Sequence, residues 1–230
     1  MSQVVTGPVL ERHELLEGVT YERREGSVVL RMATAWQALS SAVLWGGRRH
    51  ARSLLHLEVP KTYRCDSPGR DLRAAARELG LAGPTIGLMT AVDLAETQLL
   101  AGSAEGVALR ALITVGLGNL GRPRGGAATG PGTINVIVVC GRKVAESAAV
   151  ELAMLVAEAK AAALMEAGVR TPDGALASGT STDGIAILWH RSGREEFRHA
   201  GSATELGNTA GQIVTDAVVR ALRGNAVAMR

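Results

Sequence analysis

Four short segments of the sequence carry side chains whose types and spacing could do chemistry. The first runs from Ala177 to Gly184, a hydroxyl-rich stretch that ends in Asp183 and leads into an apolar run. It reads either as a turn whose Ser, Thr and Asp satisfy local backbone groups, or as a loop offering Thr180, Thr182 and Asp183 to a polar ligand. The second is Glu158 with Lys160. Lys160 shares a helical stripe with Ala153, Val156, Ala157, Leu164 and Ala167, and a lysine on such a stripe is paired, snorkelling or functional. Glu158 falls on a different face and need not be its partner. The third is Gly132-Thr133-Ile134-Asn135, in which Asn135 alternates with apolar neighbours, so its amide needs internal partners. The fourth is Ser202-Ala203-Thr204-Glu205, whose spacing before a periodic apolar run is that of a capping box, which explains Glu205 without a ligand.

Other chemistries have no support. There is no HExxH, no paired-histidine spacing and no four-cysteine pattern, so no metal site is expected. The five histidines stand singly, and no Walker A loop, no GxGxxG after a strand and no GxSxG elbow occur. Cys65 and Cys140 form no CxxC, and a reducing cytoplasm is the expected compartment. The net charge is +3, but no basic stripe is interleaved with aromatics, so nucleic acid is not an expected partner. Arg48-Arg49-His50-Ala51-Arg52 reads as a solvated face. No apolar stretch reaches the roughly 18 residues a membrane span needs, and Met1–Thr6 lacks a signal-peptide pattern; neither membrane nor export is expected.

These candidates must be held by elements, and the chain supplies them. Its 230 residues, 47% hydrophobic and 20% charged, exclude wholesale disorder and suit one large domain over 1–230. Val19–Arg24 and Ser27–Ala33 alternate around Glu25-Gly26 as a hairpin. Leu39–Trp45 and Ser53–Val59 read as strands joined by Gly46-Gly47 and the Arg/His cluster. Asp66-Ser67-Pro68 opens a helix that Gly80 closes. Pro84–Thr90, Val107–Val115, Ile134–Val139 and Gly184–His190 read as strands, Asp93–Leu100 is ambiguous, and the Gly-rich stretch Leu117–Gly132 is a loop. Val144–Ala167 is the longest helix, roughly 36 Å, and its apolar periphery predicts burial on more than one side. A last helix runs from about Ala203 to Arg223 with Gly224 as its stop; its small residues Gly207, Ala210 and Gly211 suit a close contact within the chain or a homo-oligomer. The expected fold is α/β of the α+β layered-sandwich kind: a mixed sheet covered by two long helices, in a single domain.

In order along the chain, several stretches resemble the adenosylcobinamide amidohydrolase family of corrinoid salvage. They are Leu39–Gly47 (LSSAVLWGG), Ile86–Ala91, Gly116-Leu117-Gly118-Asn119, Gly132–Val138, Glu158-Ala159-Lys160, Ser178–Asp183, and Ala200-Gly201 followed by Thr204–Gly207. The resemblance spans roughly Leu39 to Ala217, while the hairpin region 1–34 matches weakly. Ser181 stands where the family leads one to expect glycine, and Ala161 where it leads one to expect threonine.

The resemblance implies hydrolysis of the amide between a corrin propionyl side chain and aminopropanol. Adenosylcobyric acid would be the product, the cobalt corrinoid being substrate rather than cofactor. No resident cofactor is expected. With that reaction in view, Asp183 or Glu158 is expected to activate a water. Lys160 would move a proton or steady the oxyanion, and Thr180 and Thr182 would hold the carbonyl oxygen or peripheral amides. A covalent route through Thr182 or Thr133 is the alternative. Ser40, Ser41, Gly46, Gly47, Asn119, Thr133, Asn135, Thr180 and Glu205 are the expected substrate contacts, with Trp45, Met89 and the Asn119 loop as cleft walls. Two other functions fit the same residues: a corrinoid binder without activity, and a hydroxyl-nucleophile hydrolase of another small amide.

Overall fold

A computed structural model describes residues 7–64, 66–125, 130–193 and 195–228. The hairpin expected around Glu25-Gly26 is present: β1 (Val9–Leu16), β2 (Val19–Arg24) and β3 (Ser27–Ser40) form an antiparallel meander. β3 is 14 residues long and ends at Ser40, so Leu39–Trp45 is not a separate strand; Ser41–Gly46 is a loop. β4 (Gly47–Glu58) takes in Arg48–Arg52, the stretch expected as a connection. Ladder pairing with Trp36–Ser40 holds this segment extended, while Arg48, Arg49, His50 and Arg52 stay in water.

α1 (Pro68–Glu78) starts after Ser67, with proline in its first turn where a missing N–H costs nothing. It buries Leu72, Ala75 and Ala76. β5 (Thr85–Thr90) runs parallel to β4. The ambiguous Asp93–Leu100 stretch divides into a 3-10 turn (Leu94–Glu96), capped by the Asp93 side chain, and the start of β6 (Gln98–Ala104). β7 (Val107–Val115), β8 (Leu120–Gly121), β9 (Ile134–Cys140) and β10 (Lys143–Val144) follow, then α2 (Glu146–Glu166). β11 (Gly179–Thr180), β12 (Gly184–Trp189), β13 (Glu196–Phe197) and α3 (Glu205–Ala228) complete the chain. α3 runs past Gly224, which is therefore no stop: a glycine inside a helix costs only about 1 kcal/mol.

The nine-stranded mixed sheet has the order β1-β2-β3-β12-β9-β7-β6, with β4 on the other edge of β3 and β5 beyond it. The length of β3 makes this possible. Its first part pairs with β2 over Ser27–Met32, and its last residues Gln37–Ser40 pair with β12. Val28, Leu30, Trp36, Leu54, Ile86, Leu112, Ile137 and Leu188 fill the inside of the curled sheet. α2 and α3 cover the outside of β6, β7, β9 and β12, and α1 covers β4 and β5. All seven residues of β9 are buried, as its run of apolar residues on both faces implies. The expected fold class is present, with α1 as a third covering helix. α2 is buried against the sheet and α3, while Val150 and Met154 leave a third side exposed. No helix among the described residues is long and apolar enough to cross a membrane.

Candidate active site

β9 and β12 are parallel neighbours, with Asn135 opposite Gly184. Their register brings the described residues of the loop before β9, among them Asn119 and Thr133, beside the turn 178–183 that precedes β12. β11 pairs with β8, and the Ser181 N–H donates to Asn119 O at 3.2 Å, which fixes the turn on that loop. Asp183 closes the turn. Its carboxylate accepts from the Thr180 N–H at 3.1 Å on both oxygens, from Thr180 Oγ1 at 2.5 Å and from the Ile134 N–H at 3.0 Å. Local Asp-to-backbone bonds of this kind are what the sequence Thr-Ser-Thr-Asp favours.

Lys160 reaches the same carboxylate. It is only 8% exposed, and its Nζ pairs with Asp183 Oδ2. The lysine on the apolar stripe of α2 is thus paired, and its partner is Asp183. Glu158 is exposed and makes none of these bonds; two residues along a helix turn it away from Lys160. A Cβ at position 179 would overlap both Lys160 Nζ and Asp183 Oδ2, so a larger residue there would displace the pair. The site therefore holds a contiguous hydroxyl, carboxylate and ammonium from Thr180, Asp183 and Lys160.

Next to the turn lies an open groove of about 290 Å³, which Thr182 lines and Thr180, Asp183 and Lys160 do not. Asn119, Thr133 and Thr182 line it from this corner, Val43, Met89 and Thr90 from the other side, and Lys61 and Arg64 add positive charge. The Thr182 hydroxyl donates to Gly132 O at 2.9 Å and the Thr133 hydroxyl to Thr182 O at 2.8 Å, so both hydroxyl protons lie on carbonyls rather than on a base. Asn119 Nδ2 donates to Ser181 Oγ at 2.8 Å and to Thr182 Oγ1 at 3.2 Å, while its buried Oδ1 has no partner. Two arms of the Gly-rich loop cross here backbone on backbone: a Cβ on Gly132 would lie 2.5 Å from Gly118 N.

Asn135 joins a second polar unit. Its Nδ2 donates to Met89 O at 2.8 Å and faces His56 Nε2 at 2.9 Å. Since Met89 O can only accept, the amide nitrogen must face it, and His56 Nε2 must be an acceptor. Burial pushes the His56 imidazole down to about 3, which keeps it neutral. The amide bridges the free edge of β5 to β9. Sequence reasoning passed over His56 among five scattered histidines; its signal is a single imidazole within the apolar run Leu54-Leu55-His56-Leu57.

The other expected contacts lie around the groove or away from it. Ser41 clamps β12, its Oγ accepting from the Ile185 N–H at 3.0 Å, and the Ser40 hydroxyl is buried without a partner. Gly46 and Gly47 turn the chain into β4 and do not line the groove; Trp45 does not line it either, and Val43 takes that place. Glu205 is at the far end of β7, roughly 27 Å away by strand rise, where its Oε1 accepts from the Glu105 N–H at 2.6 Å. The expected capping box is not formed. Thr204 caps α3 instead, its Oγ1 accepting from the Gly207 N–H at 3.0 Å, because the helix starts two residues later than the Ser202 spacing requires. Cys140 is a buried free thiol, and Cys65 lies outside the described residues. Among the described residues, no three His, Cys, Asp or Glu side chains converge as a metal-ligand set.

Residues 12–228 match a family described as adenosylcobinamide amidohydrolase, a span that reaches back into β1. A protein of Methanosarcina mazei named adenosylcobinamide amidohydrolase is 31% identical over 196 residues, 82% of this chain and 88% of that protein. The crystal structure of the PH0078 protein from Pyrococcus horikoshii OT3 overlays 95% of this chain and 82% of its own, with TM-score 0.46 and 10% identity, too distant a likeness to bear on fold or function. The chain belongs to the adenosylcobinamide amidohydrolase family and is a hydrolase of a carbon–nitrogen amide bond.

Proposed function

We propose that the protein hydrolyses the aminopropanol amide of adenosylcobinamide, yielding adenosylcobyric acid and aminopropanol, in corrinoid salvage in the cytoplasm. Family membership supports the substrate, and one observation supports the chemistry: the Thr180 hydroxyl already donates to the Asp183 carboxylate, which Lys160 holds from the other side. A nucleophile bonded to a base, with the base oriented by a third group, is the arrangement that acyl transfer needs. The groove is large enough for the side arm, and its apolar edge of Val43 and Met89 suits the rim of the corrin ring. Cobalt and the adenosyl group arrive with the substrate.

In this reading Thr180 Oγ1 attacks the amide carbon and its proton passes to Asp183. The charge on the tetrahedral oxygen is met by the Lys160 ammonium and by the Thr182 N–H, whose present contact with Thr180 Oγ1 is long at 3.4 Å. Asp183 returns the proton to the leaving nitrogen, the C–N bond breaks, and the acyl group remains on Thr180. A water that gives its proton to Asp183 then cleaves this ester, and the hydroxyl is restored. The reading moves the nucleophile from Thr182 or Thr133 to Thr180, since the hydroxyls of Thr182 and Thr133 face carbonyls, and leaves Glu158 outside the chemistry.

Incubation with adenosylcobinamide followed by chromatography tests this. The expected product is a corrinoid with one new carboxylate, and Asp183→Asn should slow its formation by about 10²–10⁴. Substrate recovered intact would indicate a binder, and near-normal turnover by Asp183→Asn would remove the carboxylate from the mechanism.

A further inference from the structure

Across the ridge Val43-Leu44-Trp45 from the candidate active site lies a second groove, of about 390 Å³, which the amide-cleaving reading does not use. Leu44, Ala76, Leu81 and Pro84 give it an apolar floor, and Arg70, Arg73 and Arg77 enter it from one face of α1. Among the described residues, no carboxylate lines it. Among the described residues, the Arg73 and Arg77 side chains have no hydrogen-bond or ion-pair partner, whereas Arg70 lies 3.9 Å from Asp71, which also accepts from the Tyr63 hydroxyl at 2.8 Å. Unpaired guanidinium groups on an apolar surface are suited to an anion, phosphate above all, which they grip with two parallel N–H donors.

An independent feature points to a ring. Trp45 is held at φ +61, a conformation that bulky residues rarely adopt, and is 46% exposed at the edge of this groove. Its Nε1 donates to His50 O at 3.3 Å, and the Arg49 guanidinium lies 5.6 Å from the ring centroid, so the indole is fixed in place. The strain is thus stored where a large aromatic surface is displayed rather than hidden. A cavity of this size fits a small molecule, not a folded partner.

We propose that the groove between α1 and Trp45 binds a purine nucleotide, its base stacked on Trp45 and its phosphate held by Arg73 and Arg77. Tryptophan fluorescence tests this directly, because Trp36 and Trp189 are buried at 1% and 2% exposure and Trp45 alone meets solvent. AMP should change the emission saturably, and adenosine, lacking the phosphate, should bind about tenfold or more weakly. The double variant Arg73→Gln/Arg77→Gln, on an exposed helix face, should lose affinity for AMP by at least the same factor. By equilibrium dialysis, Trp45→Phe should retain AMP and Trp45→Ala should not. AMP against its 5′-phosphate methyl ester separates a free nucleotide from one esterified within a larger ligand. The proposal is overturned by absence of saturable AMP binding, by equal affinity of wild type and the double arginine variant, or by binding of a polyglutamate peptide with none of AMP.

Discussion

Lys160 and Asp183 show what single residues in the sequence could and could not reveal. A lysine among Ala153, Val156 and Leu164 demanded a partner, and Asp183 ended a hydroxyl-rich turn, so each stood out alone. That they meet depends on α2 lying against the start of β12, which no local spacing encodes. Glu158 was equally conspicuous in sequence, but helix geometry turns it to solvent. Removing one member of a buried pair strands the other. Lys160→Met should therefore cost about 3–5 kcal/mol, and adding Asp183→Asn should recover much of that loss, because the stranded charge goes with it. Denaturant midpoints of the two variants check this; additive losses would mean the pair is not coupled.

His56 gives a second prediction at this scale. Its imidazole is held near pKa 3 when folded against an ordinary 6.5, so the unfolded chain binds the proton first as pH falls. Its contribution is complete above pH 6.5 and is lost below it at about 1.4 kcal/mol per pH unit, down to about pH 3. His56→Gln keeps an acceptor for Asn135 but does not titrate. Its stability should fall less steeply than wild type between pH 6.5 and 4, and parallel curves would contradict the assignment.

At the scale of elements, most strands and all three helices were legible from alternation and helical periodicity. The errors lie where a neighbour overrides local preference. β4 extends through Arg48–Arg52 because β3 offers it a full ladder, and the polar side chains there hide the strand from a hydrophobicity reading. At α3, both Ser202 and Thr204 are competent caps, and only the loop path from Gly201 decides between them. Thr204→Ala should cost about 1 kcal/mol and Ser202→Ala less than about 0.5. Thermal unfolding distinguishes them, and the reverse order would restore the capping box. In sequence the stretch 117–132 reads as a loop and the stretch 177–184 as a hydroxyl-rich turn with functional groups. Their contact follows from parallel pairing of β9 with β12, a long-range fact.

For the molecule as a whole, layered α/β architecture followed from the order of elements, but the sheet order did not. β12 inserts between β3 and β9, far from both in sequence, and the curl that lets Asn135 reach Met89 O arises from the twist of the assembled sheet. The result is one frame with a groove on each side of Val43-Leu44-Trp45. The candidate amide-cleaving groups gather beside one of these grooves, on segments that precede adjacent parallel strands and on α2 behind them.

The most direct test of this arrangement is release of aminopropanol from adenosylcobinamide by wild type and by Thr180→Val, which keeps the shape of the side chain and removes its hydroxyl. The account predicts stoichiometric release by wild type and a fall on the order of 10³ or more in the variant, with adenosylcobinamide still bound. Release by Thr180→Val within tenfold of wild type would contradict it.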